Sequence, residues 1–198
     1  RPPHRFPVSS PESVSTAPFA SFVEDNLAIL GQAVAFVRDL QPEQYGRPHP
    51  ELGLSSIGSH LRHILDFYAR FLEAMESPSC GTGLRLVDYD RRERNPQLET
   101  DPAFALEFLD GVRDRLHRLP LALAGLPLEV KTDSLAAGES FTSRSSVDRE
   151  LQAMLSHTVH HYALIKIAAG RVGVDPGRGF GVAPSTLRYW EQSGACAP

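Results

Sequence analysis

Four stretches of this chain repeat apolar residues at the three-to-four spacing of an α-helix, and little of the rest alternates as a strand does. They span 19–40, 56–76, 102–119 and 147–170. The stripes run through Phe22, Leu27, Leu30, Val34 and Val37, then Ile57, Leu61, Ile64, Tyr68, Phe71, Leu72 and Met75. Phe104, Leu106, Phe108, Leu109, Val112, Leu116 and Leu119 make the third, and Leu151, Met154, Thr158 and Ile165 the fourth. A helix with one apolar stripe must bury it against another element. Four such stripes predict an all-α fold, a four-helix bundle.

Local chemistry marks where these helices begin and end. Ser56 can cap the second, Asp101 followed by Pro102 opens the third, and Ser145 or Ser146 can cap the fourth. Asp148 and Glu150 suit the positive end of the fourth helix, and Gly170 is its expected terminator. Between the third and fourth, "LEVKTD" and "SFTSRS" flank "SLAAGE" and predict a small β-hairpin. Residues 77–101 read as a long crossover without periodicity, and "STLRYWEQ" as a last helical turn or two. The expected organisation is a flexible Pro/Ser-rich tail over 1–18, one domain over 19–192 and a C-terminal tail over 193–198.

Composition narrows the function. At 198 residues and 41% hydrophobic, the chain can bury one sizeable core. A net charge of −4 points away from nucleic acid as a partner. Consecutive apolar residues fall short of the ~18 a membrane helix needs, so no membrane partner is expected. Cys80 and Cys196 form no CxxC pair and read as incidental thiols, compatible with a cytoplasmic location. "GRGFG" at 177–181 follows a helix instead of a strand, so it predicts a loop and no nucleotide site. Neither a Walker A sequence nor a G-x-S-x-G elbow is present.

The histidines carry the chemistry. "SHTVHH" places His157 and His161 four apart, on one helix face and close enough to share an ion. At about 100° per residue they flank the apolar stripe, while His160 points outward. "SHLRHILDFY" in the second helix adds His60 and His63. The helical wheel puts His60 nearer the stripe and His63 nearer its edge, so either can supply a third nitrogen. Three imidazoles leave coordination positions open, and they suit zinc, nickel, iron or copper alike. "HTVHH" lacks the glutamate of a zincin H-E-x-x-H motif.

With "SIGSHLRHILDFYARFLEA" and "VDRELQAMLSHTVHHYALIKIAAG" as second and fourth helices, the chain resembles the DinB/YfiT-like family of metal-binding four-helix bundles over most of residues 20–190. "SHLRHILDFY" is similar to the helix-two segment of ergothioneine-synthase N-terminal domains, in which the later histidine of the pair is the ligand. The resemblance therefore implies His63, His157 and His161 as ligands of one divalent ion, zinc, nickel or iron, with His60 in reserve. It also implies a homodimer and an enzyme of hydrolase or thiol S-transferase type, using the ion to activate water or a thiol of a small-molecule substrate. The alternative is a non-catalytic, metal-stabilised binding or dimerisation module. In the crossover, Arg91, Arg92 and Arg94 are candidates to clamp a carboxylate or phosphate. Tyr89 and Asp90 are candidates for proton transfer or for orienting a ligand imidazole, and Asp66, one turn from His63, for the same support.

Overall fold

Ser56, Asp101 and Ser146 each turn a side-chain oxygen onto the first free backbone N–H groups of a helix, and these three caps set the frame of the molecule. Ser56 accepts from the N–H of Ser59, Asp101 from those of Ala103 and Phe104, and Ser146 from that of Arg149. The computed structural model describes residues 16–194 apart from 51–52, 54, 78–82 and 92. Its long helices are α1 (Ala17–Val37), α3 (Ile57–Glu76), α5 (Pro102–His117) and α6 (Val147–Arg171). Shorter ones are α2 (Pro42–Tyr45), α4 (Gln97–Thr100) and α7 (Pro184–Ser193). The expected N-terminal tail lies outside the described residues up to position 15, as do Cys80, Arg92 and Cys196.

An all-α fold was the expectation, and the sheet overturns it. Strands β1 (Arg85–Asp88), β2 (Pro127–Ser134) and β3 (Glu139–Ser146) form a three-stranded mixed sheet in the order β1-β2-β3. The hairpin β2–β3 is antiparallel, with Pro127 opposite Ser146 and Ser134 opposite Glu139. β1 adds in parallel to the other side of β2, pairing Arg85 with Leu128 and Asp88 with Lys131. "RLVD" is too short to show alternation, and its partner is some forty residues downstream, so only long-range pairing makes it a strand. The supposed crossover thus contains β1 and α4. With seven α-helices and this sheet among the described residues, the protein is a mostly helical α/β mixture.

One core joins these parts. Leu30, Ile64, Leu65, Phe71, Leu72, Leu109, Leu116, Val147 and Leu151 are completely buried, and Val87 and Leu128 extend the core beneath the sheet. Truncating one of them to alanine costs about 2–5 kcal/mol. α1 has 21 residues and a window of mean hydropathy 1.2, so by length and composition it meets the measure of a membrane span. Its Phe19, Ile29, Leu30, Ala33, Val34, Phe36 and Val37 are nevertheless buried in the core, where it packs on α5 and α6.

Two glycines are required by close approach. A Cβ on Gly58, in the first turn of α3, would lie 2.1 Å from the carbonyl oxygen of Glu99, so α4 can cross there only over glycine. Gly181 has φ +68°, and a Cβ would lie 2.6 Å from that of Tyr162. The "GRGFG" loop is a packing device: Phe180 stacks on Tyr162 with ring centroids 4.4 Å apart and tilts against Phe36 at 5.1 Å. α6 passes the expected stop at Gly170 and ends after Arg171. Gly173 adopts φ +75°, and the N–H of Val174 returns to the carbonyl of Ala169.

Candidate metal centre

The contact between α3 and α6 positions the site. As α3 advances from His60 to Phe67, its partners on α6 step back from His161 to His157, so the two helices run antiparallel. Each brings histidines to the border between its apolar stripe and solvent. His63, His157 and His161 come together as half-buried side chains, each offering a nitrogen that lies within 4.8 Å of the other two. Their ring centroids are 4.9 Å apart for His63 and His157, 4.6 Å for His63 and His161, and 4.5 Å for His157 and His161. All three pairs are nearly edge to face, the arrangement in which nitrogens of different rings can point at one position.

These donors fit a divalent ion. Ligand imidazoles must be neutral, and His161 resists protonation. Burial first, then His157, His63, His60 and His160 as neighbours, push the His161 pKa down from 6.5 to about 3. His60 is also lowered, by burial and then by His160. Bonds of about 2.0–2.1 Å to one zinc ion place tetrahedral nitrogens about 3.4 Å apart, which small ring rotations can reach. Three protein ligands leave room for water or substrate.

His60 stands outside this three-nitrogen group. Its Nδ1 is 3.2 Å from Nδ1 of His161. His160 is exposed and touches His161 edge to face at 5.2 Å. Beside it, a shallow surface cavity of about 510 Å³ is walled by Arg149, Gln152, Ala153, Ser156, His157 and His160, and it opens His157 to solvent.

The crossover residues take other parts than expected. Tyr89 does not bond an imidazole: its hydroxyl donates to Glu150 Oε2 at 2.8 Å, and burial together with that carboxylate raises its pKa far above the ordinary value. Its ring supports the site indirectly. Tyr89 stacks on Phe67 at 4.8 Å, and Phe67 stacks on His157 at 4.3 Å. Asp90 accepts from the backbone N–H of Asp133, and Lys131 reaches Asp88 at 3.0 Å, so this segment is fastened to the sheet. Arg91 lines a cavity of about 260 Å³ whose other walls are Arg70, Glu73, Ala74, Ser77, Leu86 and Asp88, with none of the histidines. Arg94 turns the chain with φ 52°. Asp66 accepts from Arg62 at 2.7 Å.

Sequence reasoning missed Phe67 and Glu150. Phe67 follows His63 by one helical turn, and that spacing is the signal that could have revealed a wall beside the histidines. Glu150 reads as a dipole-matching acid, yet it is buried and accepts from both Tyr89 and Ser145. Ser145 is thereby excluded as the cap of α6.

Comparison with known proteins bears on this centre. FK506-binding protein 5 of Rhizopus delemar is 30% identical to the chain over 122 residues, 61% of this chain and 31% of that protein. The chain therefore matches only about a third of the length of that relative. No solved structure matches. The model of the DinB superfamily matches residues 30–165, which hold α3, most of α6 and all three clustered histidines. This chain belongs to the DinB superfamily.

Proposed function

We propose that His63, His157 and His161 hold one divalent metal ion, zinc, nickel or iron, and that the protein is a metal-dependent enzyme of hydrolase or thiol-transferase type. The observation that carries this reading is the convergence of three imidazole nitrogens within 4.8 Å, from two different helices, with burial holding the His161 imidazole far below its ordinary pKa. Such an ion, when bound, lowers the pKa of water or a thiol so that a nucleophile exists at neutral pH.

The chain's own residues supply position and access. His63 comes from α3, and His157 and His161 come from successive turns of α6. Phe67 backs His157 and keeps its ring from turning away, with Tyr89 behind it. The cavity walled by Arg149, Gln152 and Ser156 is the place for a small substrate or thiol. A homodimer is part of the proposal. It is supported by half-buried Phe104 and Phe108, which line a surface depression of about 290 Å³ on α5 with Gly111 and Val112.

Elemental analysis of protein purified without an affinity tag, before and after zinc, nickel and iron are offered, tests the site. The expected result is one ion per chain. A stoichiometry near zero under every condition overturns the reading. Given one ion, parallel screens for ester or amide hydrolysis and for metal-dependent consumption of low-molecular-weight thiols separate the two reaction types. Absence of both leaves a metal-stabilised module. Sedimentation tests the dimer, and a monomer at every concentration rejects it.

A further inference from the structure

His60 lies beside the three-histidine centre but outside it, and its two nitrogens are in opposite situations. Nδ1 faces Nδ1 of His161 at 3.2 Å. Nε2 is buried and has no hydrogen-bond partner among the described residues. A buried polar atom left unsatisfied opposes folding, so packing alone gives this position no reason to be histidine.

Two facing imidazole nitrogens make a hydrogen bond only when one carries a proton and the other does not. If the proton is on His60, neutral His161 must carry its own on Nε2, and neither nitrogen of His161 is then free for an ion. If the proton is on His161 Nδ1, that nitrogen donates to His60 and the Nε2 lone pair is open. Only the second arrangement is compatible with His161 as a ligand while the contact persists.

We propose that His60 is a positioning residue: its Nδ1 accepts a hydrogen bond from Nδ1–H of His161, holding that ring in the tautomer and orientation that present Nε2 to the metal. This rests on the metal-binding reading above. The role matches that of a carboxylate or carbonyl behind a metal-bound histidine, here filled by a second imidazole. It also accounts for the pair His60 and His63 on α3, one turn apart: His63 offers a nitrogen to the ion, and His60 orients the ligand opposite.

The test uses the untagged full chain, zinc as the probe, and two variants. His60→Phe keeps ring volume and removes the acceptor. His60→Asn places a carboxamide oxygen near the position of Nδ1 and can accept the same bond. Zinc affinity, measured by competition with a chelator, should fall about 10–100-fold in His60→Phe and recover to within a few-fold of wild type in His60→Asn. Nitrogen NMR of histidine-labelled, zinc-loaded wild type should show His161 protonated on Nδ1 and metal-bound on Nε2. Equal affinity in wild type and His60→Phe overturns the role of His60 while leaving the metal site intact, as does a spectrum with His161 ligated through Nδ1. Wild type that takes up no zinc, nickel or iron overturns both. Should His60→Phe fail to fold, the wild-type spectrum and the His60→Asn affinity still decide.

Discussion

Two polar clusters sit in the interface of α3 and α6, within two turns of each other. In the inner one, Asn26 of α1 donates to the carbonyls of Phe22 and Leu151 and accepts from the Tyr68 hydroxyl at 2.5 Å. Thr158 lies 3.3 Å from that hydroxyl and donates to the carbonyl of Met154. Asn26, Tyr68 and Thr158 are completely buried. Donors and acceptors there are matched across three helices, each side chain having a partner among the described residues. The outer cluster is half-buried and made of one residue type, each ring aimed at the others, and a buried nitrogen of His60 has no partner among the described residues. A matched network specifies a core. Three imidazole nitrogens converging from two helices are instead the kind of donor set that could hold an ion.

Breaking the outer cluster should have the largest effect, and on binding. His157→Ala or His161→Ala should lower zinc affinity on the order of a thousandfold, since two imidazoles remain. Chelator competition and elemental analysis check this, and the metal-free variants should melt close to wild type. Retention of one tightly held ion by either variant would remove it from the ligand set.

Breaking the inner cluster should act on stability. Asn26→Ala leaves the Leu151 carbonyl and the Tyr68 hydroxyl short of partners in a fully buried site, at a cost of about 2–4 kcal/mol. Urea unfolding measures it, and the folded fraction should still bind one zinc. A cost near zero would show that the network is not structural.

Acid should separate the clusters by charge. The folded pKa of His161 lies near 3 and its ordinary value is 6.5, so between these pH values the unfolded chain binds more protons. His161 therefore weakens the metal-free fold progressively as pH falls from about 6.5 towards 3, and has no effect above that range. Asn26 and Thr158 do not ionise and add no slope. Denaturation midpoints from pH 7 to 4 should fall less steeply in His161→Gln, and identical slopes would contradict the shift.

His160→Ala should do least, because the ring is exposed and outside the three-nitrogen group. Stability should change by less than about 0.5 kcal/mol and zinc stoichiometry not at all. Loss of the ion in this variant, with retention in His161→Ala, would mean that α6 is rotated from the geometry described above.

Much of the helical frame was legible because its signals are local. A cap such as Asp101 acts on N–H groups two and three residues away, and an apolar stripe repeats within one turn. The sheet was half legible: β2 and β3 are joined by a four-residue connection, whereas β1 depends on a partner far along the chain. The end of α6 was misplaced because Gly170 can stay helical, and it is Gly173 that takes the left-handed conformation. In the site, the pair His157 and His161 was written in the spacing. The choice between His60 and His63 was not, since they are about 60° apart on a helical wheel, and that is within the freedom with which α3 can rotate against its neighbours.

The sequence by itself determined which segments coil, where caps start them, and that imidazoles four apart share a face of α6, because these depend on interactions spanning a few residues. Only the tertiary structure decided that "RLVD" is a strand, that Tyr89 serves Glu150, and that His63 joins the α6 pair while His60 meets His161. Each of those outcomes depends on how elements distant in the chain rotate and pack against one another, and that is set by the whole core at once.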